Sequence, residues 1–186
     1  MSYYYLIASL PELDIDEPPG VTVEQFLFQC QGLLDPADFN DLNKVIAGDP
    51  VGVRSHWAAG WLAADTQLRN AVARMRAAQL NIDAINYLRD HVGARMDIET
   101  AVRDAFARDN PLERELVLDK CRWAILDEMA FADRFGFGAI IAFSVKLGIV
   151  ERWQSCNVET GREAFDKFVL DSLEAQDFPT VIENPA

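Results

Sequence analysis

The sequence predicts an all-α protein, a multi-helix bundle with two long central helices and a short extended segment at its N-terminus. Three observations favour this class. Apolar residues recur at helical spacing through most of the chain, residues that cap helices precede these stretches, and no series of alternating strands occurs. The connections are short and no internal repeat is visible, so we expect residues 1–186 to form a single helical domain.

The first stretch, residues 3–10, combines aromatic and aliphatic residues without helical phase and ends at Pro11. This pattern predicts a short strand or extended piece. It either packs across the helices or pairs with the other strand-like stretch, residues 178–182.

Two short helices are predicted next, and together they form an acidic helical hairpin. Thr22 stands three residues before Gln25, which is the pattern of a capping box. Asp35 followed by Pro36 predicts the N-cap and the first position of the second helix, and Gly48 closes that helix.

Charge divides the chain into two parts. Residues 1–50 carry nine acidic side chains and one basic side chain, and the break Asp49-Pro50-Val51-Gly52 follows them. We therefore expect an acidic N-terminal lobe, residues 1–50, beside a main helical bundle, residues 51–186. A solvated acidic surface is the common reason for such a lobe, and docking to a basic protein surface is the alternative.

A long helix is expected over residues 54–80. Trp57 and Trp61 open its apolar face and are predicted to lie in the core. Asp65 stands four residues before Arg69, which is the spacing of an ion pair.

Arginines make this helix the most basic of the chain: Arg69, Arg74 and Arg76. We expect them to neutralise acidic side chains elsewhere in the fold, including Glu115 and Asp119. An anion-binding site is the alternative, because the guanidinium fork suits carboxylate and phosphate equally.

Two shorter helices are predicted after the long one. The first spans residues 83–92 and ends at Gly93, and the second spans residues 97–107 with Asp97 as its N-cap.

Two long helices joined at a glycine corner, residues 135–138, form the predicted centre of the bundle. Asn110 is the expected N-cap of the first, with Pro111 at its first position. The second, residues 138–153, is apolar nearly all round, which marks a buried helix. Its uncharged run is well short of the ~20 residues of a membrane span.

A charged stripe runs along the apolar arc of the first central helix, formed by Glu115, Asp119 and Arg122. Burial of unpaired charge is expensive, so we expect a structural ion network of these residues with Arg69. A half-exposed face is the plain alternative. A catalytic carboxylate pair is disfavoured, because no nucleophile, metal ligand or histidine lies nearby in the sequence.

The last predicted helix spans residues 159–177. Its apolar side chains are expected to face inward and close the core, although a partner-binding surface is the alternative: Phe165, Phe168, Val169 and Leu173.

Composition and motifs exclude several functional classes. A net charge of −13 disfavours nucleic-acid binding. We find no HExxH or ExxH metal motif, no phosphate or dinucleotide loop and no nucleophile elbow. His56 and His91 belong to no ligand pattern, and His91 is expected near a helix end. We therefore expect no catalytic residue, no cofactor and no metal site, and predict that the protein is not an enzyme.

Three cysteines far apart, Cys30, Cys121 and Cys156, are expected to be free buried thiols in a reducing cytoplasm. The N-terminus lacks the pattern of a secretory leader. We expect a cytoplasmic protein.

Several stretches resemble a bacterial family of domains of unknown function whose members are associated with operons for V-type ATPases. The similar stretches are YYYLIASLPEL, EQFLFQC, LLDPADFNDL, LRNAVARMRAAQL, PLERELVLDKCRW and FSVKLGIVERW. The last two are also loosely similar to the all-helical socket component of V/A-type rotary ATPases, which joins the rotor axle to the membrane ring and is known as the C (eukaryotic d) component.

The resemblance implies a non-catalytic docking element of the central stalk of a V-type ATPase, with rotor subunits as protein partners and a position peripheral to the inner membrane. Arg69 and Asn70 occupy places comparable to those of the socket component. The resemblance also implies a candidate partner surface, formed by Lys146, Glu151 and Arg152. The alternative is a free-standing helical regulatory or small-ligand-binding protein, with a pocket lined by Trp57, Trp61 and Arg69.

Overall fold

A computed structural model describes residues 3–156 and 158–174, and within these ranges the chain is helical and contains no strand. The predicted all-α class is therefore confirmed. A short 3-10 turn, Ile85–Tyr87, interrupts the connection between two of the helices. The helices in chain order are α1 (Tyr4–Ala8), α2 (Val23–Leu33), α3 (Pro36–Ala47), α4 (His56–Leu80), α5 (Met96–Phe106), α6 (Pro111–Ala132), α7 (Phe137–Ser155) and α8 (Val158–Glu174).

Helices α6 and α7 form the centre of the bundle. α5 packs on α6, α4 packs on α5 and α7, and α2 and α3 cover α7. The side chains of Ile140, Leu147 and Val150 are completely buried, as predicted for a central helix that is apolar all round. One continuous core contains side chains from residues 1–50 and from α4, α5, α6 and α7. No helix in the described ranges combines the length and the apolar character that crossing a bilayer requires.

The caps that the sequence predicts set most helix boundaries. Thr22 and Gln25 form the capping box of α2, and Asp35 accepts a hydrogen bond from the Ala37 N–H at the start of α3. Asn110 accepts one from the Leu112 N–H at the start of α6. Gly48 ends α3 in the left-handed conformation that glycine favours, with φ of +67°.

Helix α4 begins two residues later than predicted. Ser55 is its N-cap and accepts a hydrogen bond from the Trp57 N–H. The buried carboxylate of Asp41 accepts hydrogen bonds from the N–H groups of Arg54 and Ser55, at 2.9 and 2.7 Å. Asp41 on α3 therefore accepts hydrogen bonds from the backbone just before α4, and these bonds hold Arg54 and Ser55 outside the helix.

The corner between α6 and α7 depends on close contact with Asp133. Its carboxylate accepts a hydrogen bond from the Gly138 N–H at 2.8 Å, at the start of α7. A Cβ atom at Gly136 would lie 2.1 Å from Asp133 Oδ1, so that position admits only glycine unless Asp133 moves. The predicted glycine corner is therefore confirmed, and the glycines make room for the carboxylate.

The prediction of an extended piece at residues 3–10 is wrong, because Tyr4–Ala8 forms the helix α1. The segment has a little more than one turn, which is too short for helical spacing to show in the sequence. It packs across the α6–α7 corner, where the Tyr3 N–H donates to the Phe135 carbonyl at 2.6 Å. The other strand-like stretch, residues 178–182, lies outside the described residues.

The predicted helix over residues 83–92 is also wrong. The side-chain amide of Asn70 makes two hydrogen bonds to the backbone of Arg89. It accepts one from the Arg89 N–H at 3.0 Å and donates one to the Arg89 carbonyl at 2.7 Å. Gln67 holds Arg95 in the same way, with both distances 2.9 Å. These buried amides on α4 supply hydrogen-bond partners to the backbone N–H and carbonyl groups of Arg89 and Arg95. These groups therefore have partners without the hydrogen bonds of a helix.

Two helix-end predictions need correction. Arg95, and not Asp97, is the N-cap residue of α5, and Asp97 lies in the first turn. On α8, Phe165 is 65 % exposed and Phe168 is 69 % exposed, so the expectation that they close the core is wrong. The side chain of Leu173 lies outside the described residues.

Candidate functional site

A buried carboxylate, that of Asp119 on α6, lies at the centre of a group of charged side chains. Asp119 is 0 % exposed. Its Oδ1 accepts a hydrogen bond from Arg122 Nη1 at 2.8 Å, and its Oδ2 accepts from Trp153 Nε1 at 2.8 Å and from Arg152 Nη2. Both oxygens therefore have donors, as a buried carboxylate requires.

Asp65 on α4 extends this group to a third helix. Arg122 Nε donates to Asp65 Oδ1 at 3.1 Å, and Arg69 Nε lies 2.7 Å from Asp65 Oδ2. The six connected side chains, which we call the Asp119 network, therefore join α4, α6 and α7. They are Asp65, Arg69, Asp119, Arg122, Arg152 and Trp153.

The electrostatics of the network keep Arg122 charged. Burial acts to lower the pKa of Arg122, but the nearby charges of Asp65 and Asp119 and their hydrogen bonds outweigh it, and the pKa is raised. An arginine in this state neither gives up nor takes a proton near neutral pH. The arrangement is suited to holding three helices together.

The network contains some of the residues that the sequence singled out. Asp119 and Arg122 pair directly, and Arg69 joins through Asp65. Glu115 does not join: it is half-buried at the wall of a cavity and makes no ion pair with any described residue.

Two contacts of the network escaped sequence reasoning. Asp65 and Arg122 are 57 positions apart, and Asp119 and Arg152 are 33 apart, so no helical spacing rule connects them. The Asp65–Arg69 spacing marked Asp65 as a member of an ion pair, but it did not indicate Arg122 as a second partner.

The candidate partner surface of Lys146, Glu151 and Arg152 is engaged within the chain. Lys146 pairs with Asp127, and its ammonium lies 4.7 Å from the centre of the Trp123 ring. Glu151 accepts a hydrogen bond from the Val23 N–H at 2.8 Å, at the start of α2. Arg152 pairs with Asp119.

An exposed aromatic patch lies where α1 meets the α6–α7 corner. We define it as Tyr4, Tyr5, Phe131 and Phe135, of which Tyr5 is 89 % exposed and Phe131 is 71 % exposed. The Tyr4 ring centre lies 5.7 Å from that of Tyr5 and 5.2 Å from that of Phe135. Phe131 is in the last turn of α6, four positions before Phe135 in the chain.

Tyr3, the residue before α1, attaches this end of the chain to the core. It is buried, and its hydroxyl donates a hydrogen bond to Asp38. Burial, with the hydrogen bond to Asp38, raises the pKa of Tyr3 to about 12. Three consecutive tyrosines therefore divide between the core and the surface.

A cavity of about 540 Å³ lies between α4 and α6, closed on one side by the connection after α4. Its lining combines apolar side chains with charged ones. The residues that line it are Leu68, Arg69, Val72, Ala73, Arg76, Ala77, Leu80, Ile82, Tyr87, Glu115, Leu118 and Arg122. A second cavity of about 390 Å³ is lined by Trp61, Arg69 and Asp119 among others. Trp57 lines neither cavity and packs against Gly138.

All three cysteines are free thiols, as predicted. Cys30 is buried, and burial raises its pKa to about 12. Burial also raises the pKa of Cys121. Cys121 is half-buried and Cys156 is exposed, so the prediction of buried thiols is confirmed only for Cys30. In the described part of the chain, no group of three or more His, Cys, Asp or Glu side chains is placed to hold a metal ion.

The fold and the site define a class: a helical bundle in which buried charges are paired with one another. Residues 96–176, which span α5 to α8, match a family model described as protein of unknown function (DUF2764). The expected resemblance to a family of unknown function is therefore confirmed over that region. The search of curated proteins found no match. The search of solved structures found none either.

Proposed function

We propose that this protein is a non-catalytic docking subunit that binds rotor subunits of a V-type ATPase at its central stalk. The observation that carries the docking part is the aromatic patch of Tyr4, Tyr5, Phe131 and Phe135. The identity of the partner rests on the sequence resemblance to the family associated with V-type ATPase operons.

The patch has the composition of a binding surface. Contiguous exposed apolar surface rimmed by polar groups marks interaction sites, and tyrosine, phenylalanine and arginine are enriched at interfaces. Arg134 adds a cation, with its guanidinium 4.3 Å from the centre of the Phe131 ring.

The patch is also held in place before any partner binds. The hydrogen bond from the Tyr3 N–H to the Phe135 carbonyl connects α1 to the corner between α6 and α7. The Tyr4 ring contacts those of Tyr5 and Phe135, which limits its rotation. A surface that is ordered before binding loses less conformational entropy on association, so the same buried aromatic area gives a higher affinity.

The non-catalytic part of the proposal is supported by the state of the charged groups. Asp119 has donors on both oxygens, and Arg122 is shared between Asp65 and Asp119. A general acid or base needs a free position within hydrogen-bond reach of a substrate. In this network such positions are taken by side chains of the same chain.

The proposal is tested by binding to the purified rotor subunits of the V-type ATPase from the same organism, measured by calorimetry or by co-elution. We expect the protein to bind, and Tyr5→Ser and Phe131→Ser each to weaken binding by about tenfold or more, as for aromatic hot spots. Phe28→Ser is the matched control, because Phe28 is 79 % exposed on α2, outside the patch.

Two results would contradict the proposal. A protein that does not associate with any rotor subunit would remove the partner. A protein that associates equally well with and without the patch residues would show that docking occurs elsewhere on the molecule.

A further inference from the structure

The cavity between α4 and α6 has a size suited to a small molecule. Its volume of about 540 Å³ lies inside the range of roughly 300–1,000 Å³ typical of ligand pockets. Its floor is apolar, because Leu68, Val72, Ala77 and Leu118 are buried and face it. A floor of this kind favours an aliphatic or aromatic group from the ligand.

The same cavity is lined by more basic side chains than acidic ones. Arg69, Arg76 and Arg122 line it, against one acidic side chain, Glu115. Arg69 and Arg76 are seven positions apart on α4, so they lie on the same face of the helix about two turns from each other.

Arg76 is the arginine that a ligand reaches at the lowest cost. It is exposed, and it makes no ion pair or hydrogen bond with any described residue. Arg69 is paired with Asp65, and Arg122 with Asp65 and Asp119, so those two arginines keep their positions without a ligand. A guanidinium fork is suited to an anion with two or more oxygens.

Tyr87 completes the rim opposite α4. It belongs to the 3-10 turn and stands two residues before Arg89, whose backbone is held by the side chain of Asn70. Its phenol is exposed, and a hydroxyl at the mouth of a cavity can donate a hydrogen bond to an anionic oxygen. Glu115 on the opposite wall repels a second anionic group at the far end of a ligand, which favours a ligand with a single anionic head.

We propose that this cavity is a binding site for an amphiphile with one anionic head, a carboxylate or a phosphate monoester, and an apolar body of medium length. The head binds Arg76, and the body lies on Leu68, Val72 and Leu118.

The head contact is tested by isothermal calorimetry with decanoate and decyl phosphate, and with decanol as the uncharged probe. We expect one molecule bound per chain, and binding of decanol weaker than that of at least one anion by about tenfold or more. The better of the two anions identifies the head. Arg76→Gln is expected to weaken binding of that anion by about tenfold to a hundredfold.

Arg103→Gln is the matched control for the head, because Arg103 is an exposed arginine on α5 without an ion pair to any described residue. The apolar contact is tested by Ala73→Phe, which places a ring in the cavity and is expected to abolish binding. Its control is Ala78→Phe, on the exposed side of the same helix, which is expected to leave binding unchanged.

Circular dichroism of each variant establishes that it folds before binding is measured. The proposal is overturned if neither anion binds at millimolar concentration. It is also overturned if decanol binds as well as the anions, or if Arg76→Gln and Arg103→Gln have equal effects, because the arginine would then contribute nothing specific. Binding that survives Ala73→Phe would place the ligand outside this cavity.

Discussion

The Asp119 network and the aromatic patch reverse the usual distribution of residues in opposite ways. In the network, charged side chains are buried or mostly buried. Asp119 is completely covered, and the side chain of Arg122 is 15 % exposed. In the patch, large aromatic side chains are exposed. Both arrangements are unfavourable by themselves, because burial of charge requires desolvation and exposure of aromatic surface gives up hydrophobic stabilisation.

The difference lies in where each region finds its partners. The buried charges of the network are satisfied within the chain, by contacts among α4, α6 and α7. In the patch, the Tyr4 ring contacts those of Tyr5 and Phe135, and all four rings remain at least half exposed to water. We propose that the network serves stability and that the patch serves binding. Substitutions in the two regions should therefore affect different measurements.

The largest effect on stability is expected from Asp119→Ala. It leaves Arg122, Arg152 and Trp153 without their shared acceptor, and breaking a buried ion pair from one side destabilises by about 3–5 kcal/mol. Urea unfolding followed by circular dichroism measures the change.

Asp127→Ala is the control for that substitution, since Asp127 lies on the same helix and pairs with Lys146 but is mostly exposed. A loss of no more than about 1 kcal/mol is expected there. Equal losses in the two variants would show that burial of Asp119 has no special weight, and the contrast between network and surface would fail.

A smaller loss is expected from Asn70→Ala. It removes both hydrogen bonds between the Asn70 side chain and the Arg89 backbone, and at about 0.5–1.5 kcal/mol for each bond we expect a loss of about 1–3 kcal/mol in unfolding free energy. Hydrogen exchange at the Arg89 amide should speed up in this variant. Asn43→Ala is the control, because Asn43 bonds the Phe39 carbonyl at an exposed position, and little change is expected.

A change in pH should weaken the ion pair at the start of α5. The hydrogen bond from Arg95 holds the pKa of Asp97 below its ordinary value of 3.8. The unfolded chain therefore takes up a proton before the folded one does, and the contribution of Asp97 to stability is lost as the pH falls below about 4. The side chain is half exposed, so the contribution is below about 1 kcal/mol.

The measurement is the difference in unfolding free energy between the wild type and Asp97→Asn, followed from pH 6 to pH 2. We expect this difference to shrink as the solution becomes more acidic. A constant difference would mean that the Arg95 contact does not favour the charged carboxylate.

Local signals in the sequence were sufficient for the fold class and for most helix ends. Thr22, Asp35, Gly48 and Asn110 act through neighbours two to four residues away, so their roles can be read from spacing. The connection after α4 could not be predicted in this way. Its conformation depends on side-chain amides of Gln67 and Asn70, which lie 28 and 19 positions from the backbone groups they hold.

The same limit applies to the site. The charged stripe on α6 indicated that Asp119 and Arg122 need partners, and its residues did point to an ion network. The partners from other helices, Asp65 and Arg152, are determined by how the helices pack. Exposure of Phe165 and Phe168 could not be predicted either, because amphipathic spacing gives a helix an apolar face without specifying what covers it.

The smallest effect on stability is expected in the aromatic patch, from Tyr5→Ser. Tyr5 is 89 % exposed, so little buried area is lost, and surface substitutions of this kind change the unfolding free energy by no more than about 0.5 kcal/mol. The same urea experiment used for Asp119→Ala provides the value. A loss of about 2 kcal/mol or more would mean that the ring supports the fold, which would remove the distinction between a region that stabilises and a region that binds. A stable variant with weakened binding to rotor subunits would establish that distinction by experiment.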